Sequence, residues 1–271
     1  LFILTGSQQF DLLAGLTQSL AGRVALLPLL PFTLDELTAA KLAPERLEVL
    51  LFNGSYPPIY DRQLEPGIWY GNYVSTYLER DVRRMVNVRD LLSFQRFLRL
   101  CAGRTGQLLN FSALANDCGI THNTAKAWIS VLQASYLVHL LPPHHRNFNK
   151  RLVKSPKLIF LDTGLLCYLL RIQDAEALAS HAARGAIFET WVVSEALKNF
   201  YNRGVEPDVY FWRDSAGHEI DLLIDQGTKQ IPIEIKSGQT IASDFFTDIE
   251  YWRTLASQHN GAAGLVYGGD S

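Results

Sequence analysis

Residues 218–238, HEIDLLIDQGTKQIPIEIKSG, hold two apolar runs separated by a polar turn around Gly227. Each run is rich in Ile and Leu and short enough for a strand. With residues 225–230 as the loop, Ile224 faces Ile231, Leu222 meets Ile233 and Ile220 meets Ile235. Six apolar residues then share one face, and a slip of one residue would expose them all. The same register sets Leu223 against Pro232, Asp221 against Glu234 and Glu219 against Lys236 on the opposite face. Two carboxylates directly opposite each other repel, and a cation between them relieves the repulsion. Magnesium, held by one or two carboxylates and its own waters, suits such a pair. Asp221 and Glu234 are therefore the expected metal ligands and Mg²⁺ the expected cofactor. Lys236, two residues beyond Glu234 on the same face, is placed to activate a water or to steady charge developing on a phosphorus.

Upstream, residues 185–200, GAIFETWVVSEALKNF, form a helix that is apolar on most sides and carries Glu189, and residues 209–212, VYFW, read as a third strand. Glu195 is expected in solvent and His218 in a loop. Asp221 followed by Glu234-x-Lys236 on neighbouring strands resembles the signature of the PD-(D/E)XK nucleases, with Ile220 where that signature has Pro. The resemblance implies a restriction-endonuclease-like α/β domain over residues 181–271. It also implies that Glu189 is the additional acid many such enzymes carry, so that Asp221, Glu234, Lys236 and Glu189 are the expected catalytic set. Glu219–Lys236 also reads as an ordinary surface pair. That leaves a second possibility, a non-catalytic module that binds nucleic acid or a partner protein.

The middle of the chain, residues 111–137, FSALANDCGITHNTAKAWISVLQASYL, reads as a helix, a tight turn at Gly119 and a second helix capped by Thr121. Ala125, Ile129, Leu132 and Tyr136 fall on one stripe and form its core face. The first turn presents Thr121, His122, Asn123 and Lys126, the positions from which a recognition helix meets bases or phosphates. Strand-like VHLLP and KLIFLD follow, with a wing-like loop between them, so residues 91–180 read as a winged-helix module. That loop, HHRNFNKRLVKSPK, holds Arg146, Lys150, Arg151, Lys154 and Lys157 and no acid. Cations interleaved with aromatic and amide side chains suit a surface that tracks phosphates.

At the other end, FILTGSQQF and TQSLAGRVALLPLLPFTLDEL resemble the close of the nucleotide-binding core of prokaryotic AAA-type ATPases. NGSYPPIYDRQ, YVSTYLERDV and NFNKRLVKSPKLIFLDTGLL resemble the C-terminal module that such ATPases carry. The resemblance implies that Ser7 or Gln8 senses the γ-phosphate region and that Arg23 faces phosphate, as groups that stabilise a transferring phosphoryl must. No GxxxxGK[ST] phosphate loop occurs in these residues, so ATP is expected only in a longer parent protein, whose ATPase core is also where oligomer contacts are expected. A helix is expected to start at Thr33, with Glu36 three residues on as a capping partner. The Gly-, Pro- and Tyr-rich stretch from Phe52 to Gly67 reads as a linker. The units thus run 1–50 (end of an ATPase core), 51–90 (linker and helix), 91–180 and 181–271, in a mixed α/β chain whose two ends both look cut.

The 271 residues are 48% apolar and 19% charged, with 25 Lys+Arg against 27 Asp+Glu. That composition excludes a disordered chain and a global polycation, but not a local basic patch. Cys101, Cys118 and Cys167 lie far apart, an odd number without CxxC spacing, which points to a reducing cytoplasm. No run approaches the ~18–20 apolar residues of a membrane helix.

Overall fold

The computed structural model describes residues 25, 27–78, 91–144, 153–256 and 262–269. Ser7, Gln8 and Arg23 lie outside the described residues, as do Arg146, Lys150 and Arg151. The fold is mixed α/β with two sheets.

The first helix, α1 (Leu34–Ala39), begins as its sequence dictates. Thr33 accepts a hydrogen bond from the Glu36 amide while the Glu36 carboxylate accepts from the Thr33 amide, a complete capping box. Helix α2 (Leu47–Asn53) follows and runs through the expected boundary at residue 50, burying Leu50 and Leu51. The stretch read as a linker is instead two packed helices, α3 (Pro57–Asp61) and α4 (Pro66–Tyr73), with a π-helical turn Val74–Leu78 continuing the second. Prolines open both helices at the position where a missing N–H costs nothing. The aromatics that resembled loop residues bury one another: Tyr56 lies 5.0 Å from Trp69, which stacks on Tyr73 at 5.2 Å.

Helix α5 (Leu91–Ala102) packs Phe94 and Phe97 edge-on against Trp128. Trp128 belongs to α7 (His122–Ala134), the second half of a helix–turn–helix that begins with α6 (Phe111–Cys118). Gly119 closes α6 in the left-handed region at φ 70°, where a side chain is unfavourable. Thr121 caps α7 by accepting from the Thr124 amide. Ala125, Ile129 and Leu132 are buried, whereas Tyr136 lies past the helix end and is half-buried. An antiparallel pair, β1 (Val138–Leu141) and β2 (Lys157–Phe160), follows. Two short helices come next, α8 (Thr163–Leu169) and α9 (Ala175–Ala179).

The long helix α10 (Arg184–Asn202) leads into a four-stranded sheet of β3 (Val209–Arg213), β4 (Glu219–Asp225), β5 (Gln230–Lys236) and β6 (Gly264–Tyr267) in that order. The first three strands are antiparallel and β6 is parallel to β5. Helix α10 covers one face, its Ile187, Val193 and Leu197 joining Leu222 and Ile235 in the main core. Helix α11 (Thr247–Leu255) covers the other, packing Ile249 and Trp252 on Trp212, Ile220 and Leu223.

The β4–β5 register pairs Leu222 with Ile233, Leu223 with Pro232 and Ile224 with Ile231, as the alternation dictates, and adds Asp225 with Gln230 inside the expected loop. The ladder ends at Leu222–Ile233, short of the expected pairs Asp221–Glu234, Ile220–Ile235 and Glu219–Lys236. The β3–β4 ladder shifts between Tyr210 and Trp212, with two steps on β3 opposing three on β4. That extra residue turns Ile220 to the α11 side, away from Leu222. The main core runs from Leu30 to Ile235, so the units expected from the sequence share one apolar interior.

Candidate functional site

The bulge at the start of β4 lies at the mouth of this sheet, and it re-aims Asp221. Instead of an ordinary ladder pair, the Asp221 carboxylate accepts from the Ile235 amide at 2.9 Å. Lys236 places its Nζ 2.7 Å from Glu234 Oε2 and 3.5 Å from Asp221 Oδ2, bridging the two acids. Lys236 does not meet Glu219, the partner expected of a surface pair.

Glu234 is the unusual member. Its residue is 2% exposed, and Oε1 is buried without a hydrogen-bond partner among the described residues. Burial, and then the Asp221 charge beside it, push its carboxyl up to about 8. Burial works against the Lys236 charge, but Asp221 and Glu234 outweigh it and hold the ammonium above its ordinary range. Lys236 is therefore a protonated donor at neutral pH.

Glu189 comes from α10 and Glu219 from the head of β4, and both turn to one buried cation. Lys157 Nζ, its side chain 4% exposed, lies 2.7 Å from Glu189 and 2.5 Å from Glu219. Arg213 reaches the other Glu219 oxygen at 3.3 Å. Burial lowers the proton affinity of Lys157, but Glu189, Glu219 and Asp221 together raise it above its usual range. Lys157 is thus not part of a phosphate-tracking surface: it is 3% exposed and both acids claim it. Lys154 is exposed, as are His122, Asn123 and Lys126 on α7, where Lys126 Nζ lies 5.8 Å from the centre of the Phe111 ring. Glu195 is not solvated either: it accepts from the Leu34 amide and from Lys198. His218 stacks on Tyr251 and meets Asp248 at 2.8 Å.

Asp221, Glu234, Lys236 and Glu189 thus stand at one end of the sheet, in two linked groups. Sequence reasoning missed that Glu219, Arg213 and Lys157 complete the second group. Lys157 heads β2, all four of whose residues are buried. The residues flanking the cation-rich stretch are tied along β3. The His144 amide donates to Phe211 and the Val153 amide to Arg213. Among the described residues no group of three or more His, Cys, Asp or Glu side chains converges as a ready metal cage. No described helix is long and apolar enough to cross a membrane.

Residues 44–176 match a family model described as Domain of unknown function (DUF8612), and residues 184–271 match Domain of unknown function (DUF4143). Lys157 falls in the first match; Glu189, Arg213, Glu219, Asp221, Glu234 and Lys236 fall in the second. Uncharacterized protein Rv2008c of Mycobacterium tuberculosis and Uncharacterized protein Mb2031c of Mycobacterium bovis are each 30% identical over 241 residues, 88% of this chain and 53% of the relative. The chain therefore spans about half the length of the curated relatives it matches. No solved structure matches it.

Proposed function

We propose that the chain is the C-terminal part of a cytoplasmic AAA-type ATPase and processes nucleic acid, cleaving phosphodiester bonds at Asp221, Glu234 and Lys236. In this reading residues 184–271 are a restriction-endonuclease-like domain and residues 91–180 a winged helix. One observation carries it: Glu234 is buried beside Asp221 with an oxygen that nothing in the described structure satisfies. A buried polar atom left unpaired costs ~1–3 kcal/mol, and such an atom beside a second carboxylate fits a hard cation. The donors present, the Asp221 and Glu234 carboxyls beside Lys236, are of the hard oxygen type that suits Mg²⁺. When bound, the ion supplies charge neutralisation at the scissile phosphate and a water of lowered pKa.

The rest falls to the chain's own groups. Asp221 is held in position by the Ile235 amide, which donates to its Oδ2. Glu234 keeps a proton at neutral pH until a cation displaces it. Lys236, protonated and third in the bridge, donates to a phosphoryl oxygen as negative charge builds there. It does not serve as a base, because its neighbours hold its proton. The exposed His122, Asn123 and Lys126 supply contacts to phosphate or base edges away from the cleavage site.

A second reading rests on the lysines. Every acid of the cluster meets a cation from within the chain, as in a fold that has kept its shape for binding and given up catalysis. The experiment is nicking of supercoiled plasmid, and cleavage of end-labelled single- and double-stranded DNA and RNA, with Mg²⁺ or Mn²⁺. Cleavage that falls at least a hundredfold in both Glu234→Gln and Lys236→Met supports the nuclease. Binding that no divalent ion converts to cleavage supports the binding module.

A further inference from the structure

The acid supplied by α10 is in the wrong company for a metal ligand. Glu189 Oε1 is 2.7 Å from Lys157, a residue of β2 that reaches in from the middle region. On its other side stands Gly106, in the left-handed region at φ 73°; a Cβ there would come 3.3 Å from Glu189 Oε2. Beside it Thr105 and Thr190 share a hydrogen bond at 2.7 Å, joining the same loop to α10 one residue on. The middle region thus encloses Glu189 with a cation, a glycine and a hydroxyl. Lys157 cannot drift from this position, because β2 is clamped on both edges. It pairs with β1 on one side, and on the other the Gly106 amide donates to Leu158 while the Leu158 amide donates to Gln107.

We propose that Lys157 is a positioning residue of the candidate site. Its ammonium holds Glu189 and Glu219 to itself and off the Asp221–Glu234 pair, so that Asp221 and Glu234 take one divalent ion instead of sharing two with Glu189. The inference rests on the nuclease reading and deepens it: the site is completed by the region matched by the first family model, and its ion count is set there. Electrostatics require a cation at that point. Two half-buried carboxylates drawn to one spot are relieved by a positive charge between them, and a lysine fixed by a strand supplies it without a second metal.

The test counts Mn²⁺ bound to the purified chain by electron paramagnetic resonance and calorimetry. The parent is expected to bind one ion, lost at least tenfold in affinity in Glu234→Gln. Glu189→Gln, which leaves Lys157 paired with Glu219, is expected to bind one ion within about threefold of the parent affinity. Lys157→Met, with Glu189 and Glu219 released, is expected to bind two ions. The double variant Lys157→Met/Glu189→Gln returns to one. A merely structural lysine would lower the melting temperature and leave the count at one, which overturns the proposal. So does a tenfold or greater loss of affinity in Glu189→Gln, an outcome that also decides the matter if Lys157→Met fails to fold. A parent that binds no Mn²⁺ overturns this inference together with the nuclease. One ion that depends on both Glu234 and Glu189 overturns this inference alone.

Discussion

Replacing Glu234 by Gln keeps the shape of the side chain and removes its charge, and the structure says how stability should then vary with pH. Burial and Asp221 raise the Glu234 carboxyl from an ordinary 4.5 to about 8 in the folded chain. The folded state therefore holds this proton more tightly than the unfolded one. The contribution is full below pH 4.5 and is lost as pH rises through 8. At roughly 1.4 kcal/mol for each tenfold change in proton affinity, the ceiling is about 5 kcal/mol. The folded chain relaxes around a buried charge and lowers its real cost below that ceiling, so we expect about 2 kcal/mol. In buffer free of divalent ions, chemical denaturation at pH 5, 7 and 9 should show Glu234→Gln close to the parent at pH 5 and more stable by that amount at pH 9. Added Mg²⁺ should stabilise the parent alone, because a ligand of the folded state shifts unfolding by mass action. Below pH 8 its apparent affinity should climb with pH, since the ion displaces a proton. A variant less stable than the parent by the same margin at all three pH values refutes the reasoning. Glu234 would then be an ordinary partner of Lys236.

Other consequences are as direct. Asp162 is 3% exposed and accepts from the Tyr70 hydroxyl and from the Ser55 and Leu165 amides. Asp162→Ala strands these donors and should cost about 3 kcal/mol or more in a denaturant titration. If the face of α7 meets nucleic acid, Lys126→Glu should weaken duplex binding for all sequences alike and flatten the dependence on log salt by about 0.9; an unchanged salt slope assigns that face elsewhere. Replacing Glu195 by Gln and Lys198 by Met together should change stability by little, as buried pairs replaced jointly often do. Replacing Lys198 alone, which takes the cation from half-buried Glu195 and the donor from the Phe32 carbonyl, should cost more, about 1–3 kcal/mol by the same denaturation assay.

Much of this was legible before any coordinates. The hairpin register followed from alternation because only one setting buries the isoleucines. The capping box at Thr33 and the turn at Gly119 followed because caps and left-handed glycines are local chemistry. What escaped was set by tertiary context. The bulge in β4 leaves no mark in EIDLLID, where apolar residues stand on both faces, yet it moves Ile220 to the other core. The aromatic and proline content of residues 56–73 reads equally as loop or as short packed helices until the partners are known. Lys157 sits within a basic string and reads as one more surface cation. Only the approach of α10 and β4 from far along the chain reveals that it is buried against acids.

The buried charges lie where apolar packing is least able to fix position. A helix lying on a sheet through Ile, Val and Leu contacts can slide by a fraction of a turn at small cost, since one methyl replaces another. Helix α10 is pinned against such sliding at three points along its length. Near its start, Arg184 donates to the Ser237 carbonyl, just past β5, and to Glu48 on α2. In its first half, Glu189 meets Lys157. Further on, Glu195 accepts from the Leu34 amide while Lys198 donates to the Phe32 carbonyl and the Ser55 hydroxyl. Ion pairs and charged hydrogen bonds lose their value within an ångström or so of misplacement, so these three contacts hold the axial position that methyl packing leaves loose. They also connect three parts of the chain that the sequence separates widely. The segment at Phe32–Leu34, the middle region at Lys157 and the end of β5 beside Lys236 all bear on one helix. Any displacement of residues 32–34 is therefore felt by the helix that carries Glu189, and through Lys157 by the strand that carries Asp221.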